Sequence, residues 1–438
     1  MNAEERATSK DKVQDLRSTL FRAAKASETR RFHAVYDKVY RKDILAYGWQ
    51  EVRANRGKPG IDGQSIEEIE RSGVEPFLAE LADELRNGTY RAQPVRRVYI
   101  PKSDGTQRGL GIPTVRDSVV QAAAKAVLEP IFEADFRESS YGFRPERDAH
   151  QAGEAMRKAV NRGGNWVLDA DIRASFDRVD HTTVKHVVGK RVSDRRMLEL
   201  LKQWLRAGVM ENGVVTPTTT GVPQGGIISP LLANVVLHEL DTHWEDHCRH
   251  LGQLIRYADD FVIVCETEAE AQEAYRTVEA CLTGLRRELH PEKSRVVKLW
   301  DGSDGIDFLG FHRRKVTSWR YRGKRYLMNW PSRQRMQRAR ARVRAIIAGR
   351  TRLSEPIEGI VAELNRYLRG WGAYFRRGNS SKQLEQMDRY VRESLGMFVS
   401  RRAKRSGRGL KRNAASLAGL GVYQLSGTVT WRKATPKA

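Results

Sequence analysis

The residues in this 438-residue sequence whose types and spacing can do chemistry are carboxylates. Asp259 and Asp260 stand side by side in Leu254–Cys265, LIRYADDFVIVC, between two apolar runs. A run apolar on both faces reads as a buried strand, and Asp-Asp between two such runs as the tight turn of a hairpin. Two carboxylates at the mouth of a buried hairpin repel each other and cost free energy unless a cation sits there. A second pair, Asp169 and Asp171, lies in Trp166–Ile172, WVLDADI. In a strand both face the same side, so periodicity does not choose between them. A carboxylate at a strand end serves either as a metal ligand or as the N-cap of the next helix. Three carboxylates on two separate strands are what two-metal nucleotidyl transfer needs, with ions about 3.5–4 Å apart. Mg²⁺ takes few protein carboxylates plus substrate phosphates, so two or three aspartates suffice. Neither a nucleophile elbow nor a Walker loop accompanies them.

Other elements must bring these carboxylates to a substrate. Val95–Ile100 alternates basic and apolar residues as a half-exposed strand does. PKSDGTQRGLGIP (101–113) then supplies a turn at Ser103–Gly105 and a second strand, so that one hairpin presents Lys102 and Arg108 together. Two such cations can clamp a phosphate chain. Arg116–Phe136 has the pattern of an amphipathic helix, and Tyr141–Pro145 closes it with an aromatic turn. GVPQGG (221–226) is a loop whose glycines let backbone approach a neighbour closely. Ser229-Pro230 then reads as an N-cap followed by the first helical residue, with Leu232, Val236 and Leu240 on the buried face. A helix over Glu268–Leu289 leads into HPEKS, which carries Lys293, and a strand pair follows around Ile306–Phe311. The first 50 residues and Ile66–Leu85 also read as helical.

Charge divides the chain. Arg313–Arg412 holds 29 Lys/Arg against 6 Asp/Glu, whereas all remaining residues hold 49 against 48. A near-neutral body joined to one intensely basic region points to a polyanion, and nucleic acid is the default partner. Arg333, Arg335, Arg338, Arg340, Arg342 and Arg344 leave Met336, Ala339, Val343, Ile346 and Ile347 as an apolar stripe, the pattern of a helix with a broad basic face. Leu364, Tyr367, Leu368, Trp371 and Phe375 form a second stripe, read as core and not as a base-stacking platform. Three cysteines without CxxC spacing exclude a zinc site and a disulfide framework. A polar N-terminus without a signal and no long apolar run place the protein in the cytoplasm, away from membranes.

The motifs, taken in order, closely resemble the reverse transcriptases encoded by bacterial group II introns. They are RGKPGIDG (56–63), RRVYIPKSDGTQRGLGIPTVRD (96–117), SSYGFRP (139–145), LDADIRASFDRVDH (168–181), GVPQGGIISPLLANVVLHELD (221–241), RYADD (256–260), LHPEKS (289–294) and FLGF (308–311). LNRYLRGWGAYF (364–375) resembles the maturase X domain. The resemblance implies an α+β right-hand polymerase, with fingers and palm over 1–315 and an antiparallel sheet. A helical thumb and X domain over 316–412 and a tail over 413–438 would follow. It selects Asp171 as the first metal ligand, with Asp259 as its partner and Asp260 in support, holding two Mg²⁺ ions for which Mn²⁺ can substitute. It also implies that Lys102 and Arg108 hold the triphosphate, Phe176 rejects a 2′-hydroxyl, Gln224 lies against the nucleotide and Lys293 assists pyrophosphate departure. FLGF would grip the primer end, and the Arg333–Arg350 helix would track the duplex, binding RNA through its six arginines. The implied partners are dNTPs, an RNA template with a DNA primer, and group II intron RNA. Relatives often end in a Cys/His-containing endonuclease whose paired cysteines are not seen here, which implies a primer from elsewhere, such as a replication fork.

Two other readings compete: a splicing factor whose polymerase site is unused, and a domesticated reverse transcriptase serving a CRISPR array or a diversity-generating element. The basic region carries a prediction of its own. RNA affinity should fall steeply with salt, with a log–log slope that shrinks as Arg333, Arg335, Arg338 or their neighbours on this helix are replaced. Fluorescence anisotropy across a salt series measures that slope, and a flat response counts against RNA binding there.

Overall fold

The computed structural model describes residues 3–101, 105, 107–173, 179–218, 220–221, 225–299, 305–318, 323–348, 350–402 and 419–430. Its strands are β1 (Val95–Pro101), β2 (Gln107–Ile112), β3 (Trp166–Asp171), β4 (Val209–Glu211), β5 (Val214–Thr216), β6 (Gln253–Tyr257), β7 (Asp260–Cys265), β8 (Arg295–Lys298), β9 (Ile306–Phe308), β10 (Phe311–Thr317) and β11 (Arg325–Pro331). They form sheets ordered β2-β1-β4-β5, β6-β7-β3-β8 and β11-β10-β9. Helices cover most of the rest, which makes the fold α+β, as expected. Two compact units emerge: Met1–Asp148, Ala170–Phe261 and Glu273–Ser294 in one; Ala149–Asp169, Val262–Gln272 and Arg295–Ala438 in the other. Among the described residues no helix is long and apolar enough to cross a membrane.

The first unit is built around the helix Val115–Glu133, whose N-terminus Thr114 caps by accepting from the Asp117 N–H. The sequence reads as amphipathic here, but the helix is buried on nearly every side. Its alanines permit this, because short side chains let other helices approach closely. A Cβ at Gly48, on the helix Lys42–Asn55, would stand 2.7 Å from the Val119 carbonyl oxygen. The expected hairpin is present, with β1 and β2 antiparallel and Ile100 opposite Arg108. The glycine loop presses on it: Gly225 has φ +122°, and a Cβ there would lie 2.5 Å from the Gly111 carbonyl oxygen.

Three local expectations need correction. The helix after the glycine loop runs Ser229–His243 with Ile228 at its cap position, so Ser229 is the first helical residue and not the N-cap. Pro230 keeps its place in the first turn, where a missing N–H costs little. The segment expected as one helix over 66–85 is two, Ile66–Ser72 and Val74–Asn87, broken at Gly73 with φ +107°. The helix expected over 268–289 stops at Gly284, and the chain then turns through Arg286 at φ +56°.

In the second unit the helices Arg333–Ile347, Ile357–Phe375 and Ser381–Arg402 share one apolar core. The stripe read from the sequence, Met336, Ala339, Val343, Ile346 and Ile347, is the buried face of the first of them. Leu364, Leu368 and Phe375 are buried on the second, with Tyr367 and Trp371 packed partly against the same core. The third, Ser381–Arg402, is an addition to the helices read from the sequence. Phe308 and Phe311 flank the β9–β10 turn with both rings buried, so this turn offers Leu309 and Gly310 to any ligand, not its aromatic rings.

Candidate active site

The site grows from the end of β3 and the β6–β7 turn. After Asp171 the chain runs beside the segment 288–294. The Arg173 N–H donates to the Glu288 carbonyl (3.0 Å), the His290 N–H donates to the Asp171 carbonyl (2.8 Å), and Ile172 pairs with Leu289 as an isolated bridge. Ser294 Oγ lies 3.3 Å from the Asp171 nitrogen and accepts its N–H. HPEKS is therefore a clamp on the backbone that carries Asp171. It also delivers Lys293, whose Nζ sits 2.9 Å from Asp171 Oδ2.

Asp169 and Asp171, which periodicity leaves equivalent, part company here. Asp169 lies opposite Arg295 in the β3–β8 register and pairs with its guanidinium at 3.5 Å. Asp171 stands with Asp259. Burial pushes the Asp259 carboxyl above its ordinary pKa, and the Asp171 carboxylate adds to that rise. Arg108, on the exposed β2, and Arg256 oppose it. Asp259 and Asp260 are both half-buried, and Asp260 opens β7.

The residue that positions this turn is not among those the sequence singles out. Arg256 is fully buried, and its guanidinium is used on every side. Nε donates to Asp241 Oδ1 (2.7 Å), Nη1 to Asn234 Oδ1 (3.0 Å) and to the Ala258 carbonyl (2.9 Å), and Nη2 to Ser140 Oγ (2.7 Å) and Asp241 Oδ2 (2.5 Å). Ala258 has φ +60°, a strained value for a residue with a Cβ, and the Arg256 bond to its carbonyl holds it there. SSYGFRP packs beneath. Ser139 and Tyr141 exchange backbone hydrogen bonds with Arg256, Asn234 Nδ2 donates to the Gly142 carbonyl, and a Cβ at Gly142 would collide with the Ala258 nitrogen. A signal is present in the sequence: Asn234 and Asp241 are polar residues on the otherwise apolar helix SPLLANVVLHELD, and buried polar groups demand partners.

Phe176, Gln224 and Lys102 lie outside the described residues. The chain on either side of the first two is tied together, since the Gly221 N–H donates to the Val179 carbonyl (2.8 Å), Asp180 bridges Thr220, and His181 Nε2 contacts the Gly221 carbonyl.

The six arginines expected to bind RNA are not equivalent on their helix. Arg333, Arg335, Arg338, Arg342 and Arg344 are exposed, whereas Arg340 is half-buried, 5.7 Å from the Tyr390 ring centre. Arg335 follows the β9–β10 turn closely, since a Cβ at Gly310 would stand 2.9 Å from its Nε. Arg342 stands 3.6 Å from Glu363. Arg333, Arg338 and Arg344 therefore share the solvent side of the helix with Arg335 and Arg342, while Arg340 is the departure from an all-exposed basic face. These six lie in the second unit and the carboxylates Asp171 and Asp259 in the first.

The residues present fit a divalent metal ion. Among the described residues no three His, Cys, Asp or Glu side chains converge as a ligand set, so the site offers a carboxylate pair. The mutual repulsion registered at Asp259 is what a divalent cation between the two would relieve. With a raised folded-state pKa, ionised Asp259 weakens the metal-free fold, and stability falls as pH rises through that pKa. Asp259→Asn, neutral at every pH, is expected to raise Tm at neutral pH in EDTA, as read by scanning calorimetry. The opposite sign is expected at Asp241. Asp241→Asn strands the Arg256 charge and should cost about 3–5 kcal/mol in urea unfolding, whereas the Arg256→Met, Asp241→Leu double variant should cost less.

Comparison with known proteins agrees with this geometry. Residues 100–313 match the reverse transcriptase (RNA-dependent DNA polymerase) family, and residues 336–415 match the group II intron maturase-specific domain. Protein YkfC of Escherichia coli is 36% identical over 291 residues, which cover 58% of this chain and 74% of that protein. The group II intron-encoded protein LtrA of Lactococcus lactis is 38% identical over 218 residues, 48% of this chain and only 35% of LtrA. Nuclear intron maturase 1 of Arabidopsis thaliana is 35% identical over 94 residues, 22% of this chain and 13% of its own length. With both family matches falling in the expected order on the chain, this protein belongs to the group II intron-encoded reverse transcriptases that carry a maturase-specific domain.

Proposed function

We propose that the chain copies RNA into DNA at the Asp171/Asp259 pair and binds its own group II intron RNA to aid splicing and mobility. What supports the reading most directly is that pair: two carboxylates from separate elements, near enough to raise the pKa of one, with Lys293 on the other. Two Mg²⁺ ions bound there, or Mn²⁺ in their place, would activate the primer 3′-hydroxyl and neutralise the triphosphate.

The remaining roles fall to the chain's own residues. Asp260 supports Asp259 from the first position of β7. Lys102 and Arg108 hold the phosphates of the incoming dNTP, Gln224 lies against the nucleotide, and Phe176 excludes the 2′-hydroxyl. Lys293, already a counter-charge to Asp171, turns to the departing pyrophosphate. Arg333, Arg335, Arg338, Arg342 and Arg344, with Arg340 deeper on the same helix, track the backbone of the template–primer duplex. Their exposure supports this, and it suits an RNA-containing helix read through phosphates and 2′-hydroxyls. The protein works in the cytoplasm.

Asp259→Asn is expected to reduce metal-dependent dNTP incorporation on an RNA template with a DNA primer by several kcal/mol of barrier, about 10²–10³-fold, with RNA affinity unchanged. Full activity in that variant would show the catalytic assignment to be wrong. A wild-type protein that promotes intron splicing yet incorporates nothing would favour a splicing-only role.

A further inference from the structure

The second unit contains a cleft of about 710 Å³ that none of the motifs above explains. It lies among four segments: the helix Ala149–Asn161, the hairpin β10–β11, the turn at 376–379 and the stretch around Thr430. The segments are fixed to one another. Asn161 Oδ1 accepts the Leu327 N–H (3.1 Å), Asn379 exchanges hydrogen bonds with the Asn329 backbone, and the Thr430 N–H donates to the Arg376 carbonyl (2.9 Å). Gly378, at φ +119°, is required at the turn, because a Cβ there would stand 2.5 Å from the Asn329 amide. The cleft is thus preformed, and its volume is that of a nucleotide-sized site.

Its charge is one-sided. Among the described residues four arginines line it, Arg157, Arg313, Arg376 and Arg377, against a single carboxylate, Glu154. Glu154 is engaged by Arg157 through two hydrogen bonds of 2.8 and 2.6 Å. Arg313 is the anomaly. It is 3% exposed, its Nη1 donates to the Gly153 carbonyl at 3.2 Å, and its Nε has no hydrogen-bond partner. Burial pushes its pKa down to about 10. Gly153 makes room for it, since a Cβ there would collide with Nη2.

The four other buried arginines among the described residues face carboxylates. Arg144 is bound by Glu133, Arg191 by Asp135 and Arg256 by Asp241, and Arg287 feels the charge of Asp259. A buried guanidinium without an ion-pairing carboxylate costs several kcal/mol unless an anion completes it. Exposed Arg376 and Arg377 stand at the same cleft, where a phosphate would meet two or three guanidinium groups at once. Asn161 Oδ1 and Asn379 Oδ1 accept backbone N–H groups, and Asn329 Nδ2 donates to the Arg377 carbonyl. It is therefore the other half of each amide, Asn161 Nδ2, Asn379 Nδ2 and Asn329 Oδ1, that the walls present to a base edge.

We propose that this cleft is a second nucleic-acid site that takes a nucleoside phosphate, its phosphate on Arg313, Arg376 and Arg377 and its base against the asparagine wall. None of its residues belongs to the Asp171/Asp259 site, so the inference stands apart from the polymerase reading. The nucleoside phosphate is either one unit of an RNA strand or a free nucleotide.

The test uses the full chain in EDTA at elevated salt, with fluorescently labelled AMP as one probe and a short RNA carrying 4-thiouridine as the other. Saturable AMP binding, RNA crosslinks mapping to residues 376–379, or both, are expected in the wild type. Arg376→Glu with Arg377→Glu, at exposed positions, should weaken AMP binding at least tenfold and abolish the crosslinks without changing Tm. Arg→Lys at both should largely retain them. AMP binding without crosslinks identifies a free nucleotide as the occupant, and crosslinks identify RNA. Binding that survives the charge reversal, or absence of both signals in the wild type, overturns the proposal.

Discussion

The geometry of the candidate site depends on one buried ion pair. Arg256 and Asp241 are both completely shielded from water, and a charge so placed is tolerable only when its whole hydrogen-bonding capacity is met. Here it is met by two oxygens of Asp241, one each of Asn234 and Ser140, and the Ala258 carbonyl. Those partners come from the helix Ser229–His243, from SSYGFRP and from the β6–β7 turn itself. A guanidinium has a rigid fork of donors, so satisfying all of them fixes the three segments in one arrangement. A hydrophobic core would have held them together, but it would have left the angle of the turn free. The network sets where Asp259 points.

That placement works against the fold. Asp259 is partly desolvated beside a second carboxylate, and both effects disfavour its charged form. Lys293 lies on Asp171 and Arg108 acts on Asp259, which offsets part of the repulsion without removing it. The surrounding structure must therefore over-determine the turn, and it does so through a left-handed Ala258, a glycine beneath it and a saturated arginine behind it. Local strain and like-charge repulsion persist where neighbouring contacts hold them, and they give a cation somewhere to bind.

Much of this was legible from local patterns. The β6–β7 hairpin, the β1–β2 hairpin and the apolar stripe of Arg333–Ile347 rest on spacing between near neighbours, and each is present, although the β6–β7 turn falls on Ala258-Asp259 and Asp260, expected in the turn, opens β7. What escaped depends on partners distant in sequence. Val115–Glu133 has a helical pattern, but whether it is buried on one side or all round is decided by the helices it meets, and Gly48 is the trace of that meeting. Asp169 and Asp171 share a strand face, and only the arrival of Arg295 on β8 separates the structural carboxylate from the one beside Asp259. The family motifs give Asp171 a role but none to Asp241, which closes GVPQGGIISPLLANVVLHELD, although a lone acid in an apolar helix announces a buried partner.

Arginine has different jobs in different parts of this chain, and burial sorts them. On the helix Arg333–Ile347, Arg333, Arg335, Arg338, Arg342 and Arg344 stay in solvent while an apolar face packs inward, so the charges add a basic surface at little cost to the core. Arg144, Arg191 and Arg256 are buried and matched to carboxylates; Arg144 fastens its own turn to Glu133, and Arg191 and Arg256 tie together segments remote in sequence. Arg313 fits neither group. It is as deeply buried as the structural arginines, yet it holds only the Gly153 carbonyl by hydrogen bond and the Phe311 ring at 5.5 Å, and it faces a cleft lined by three more guanidinium groups. In a chain that satisfies Arg256 to its last donor, a buried cation so lightly held marks a place where the missing anion arrives from outside.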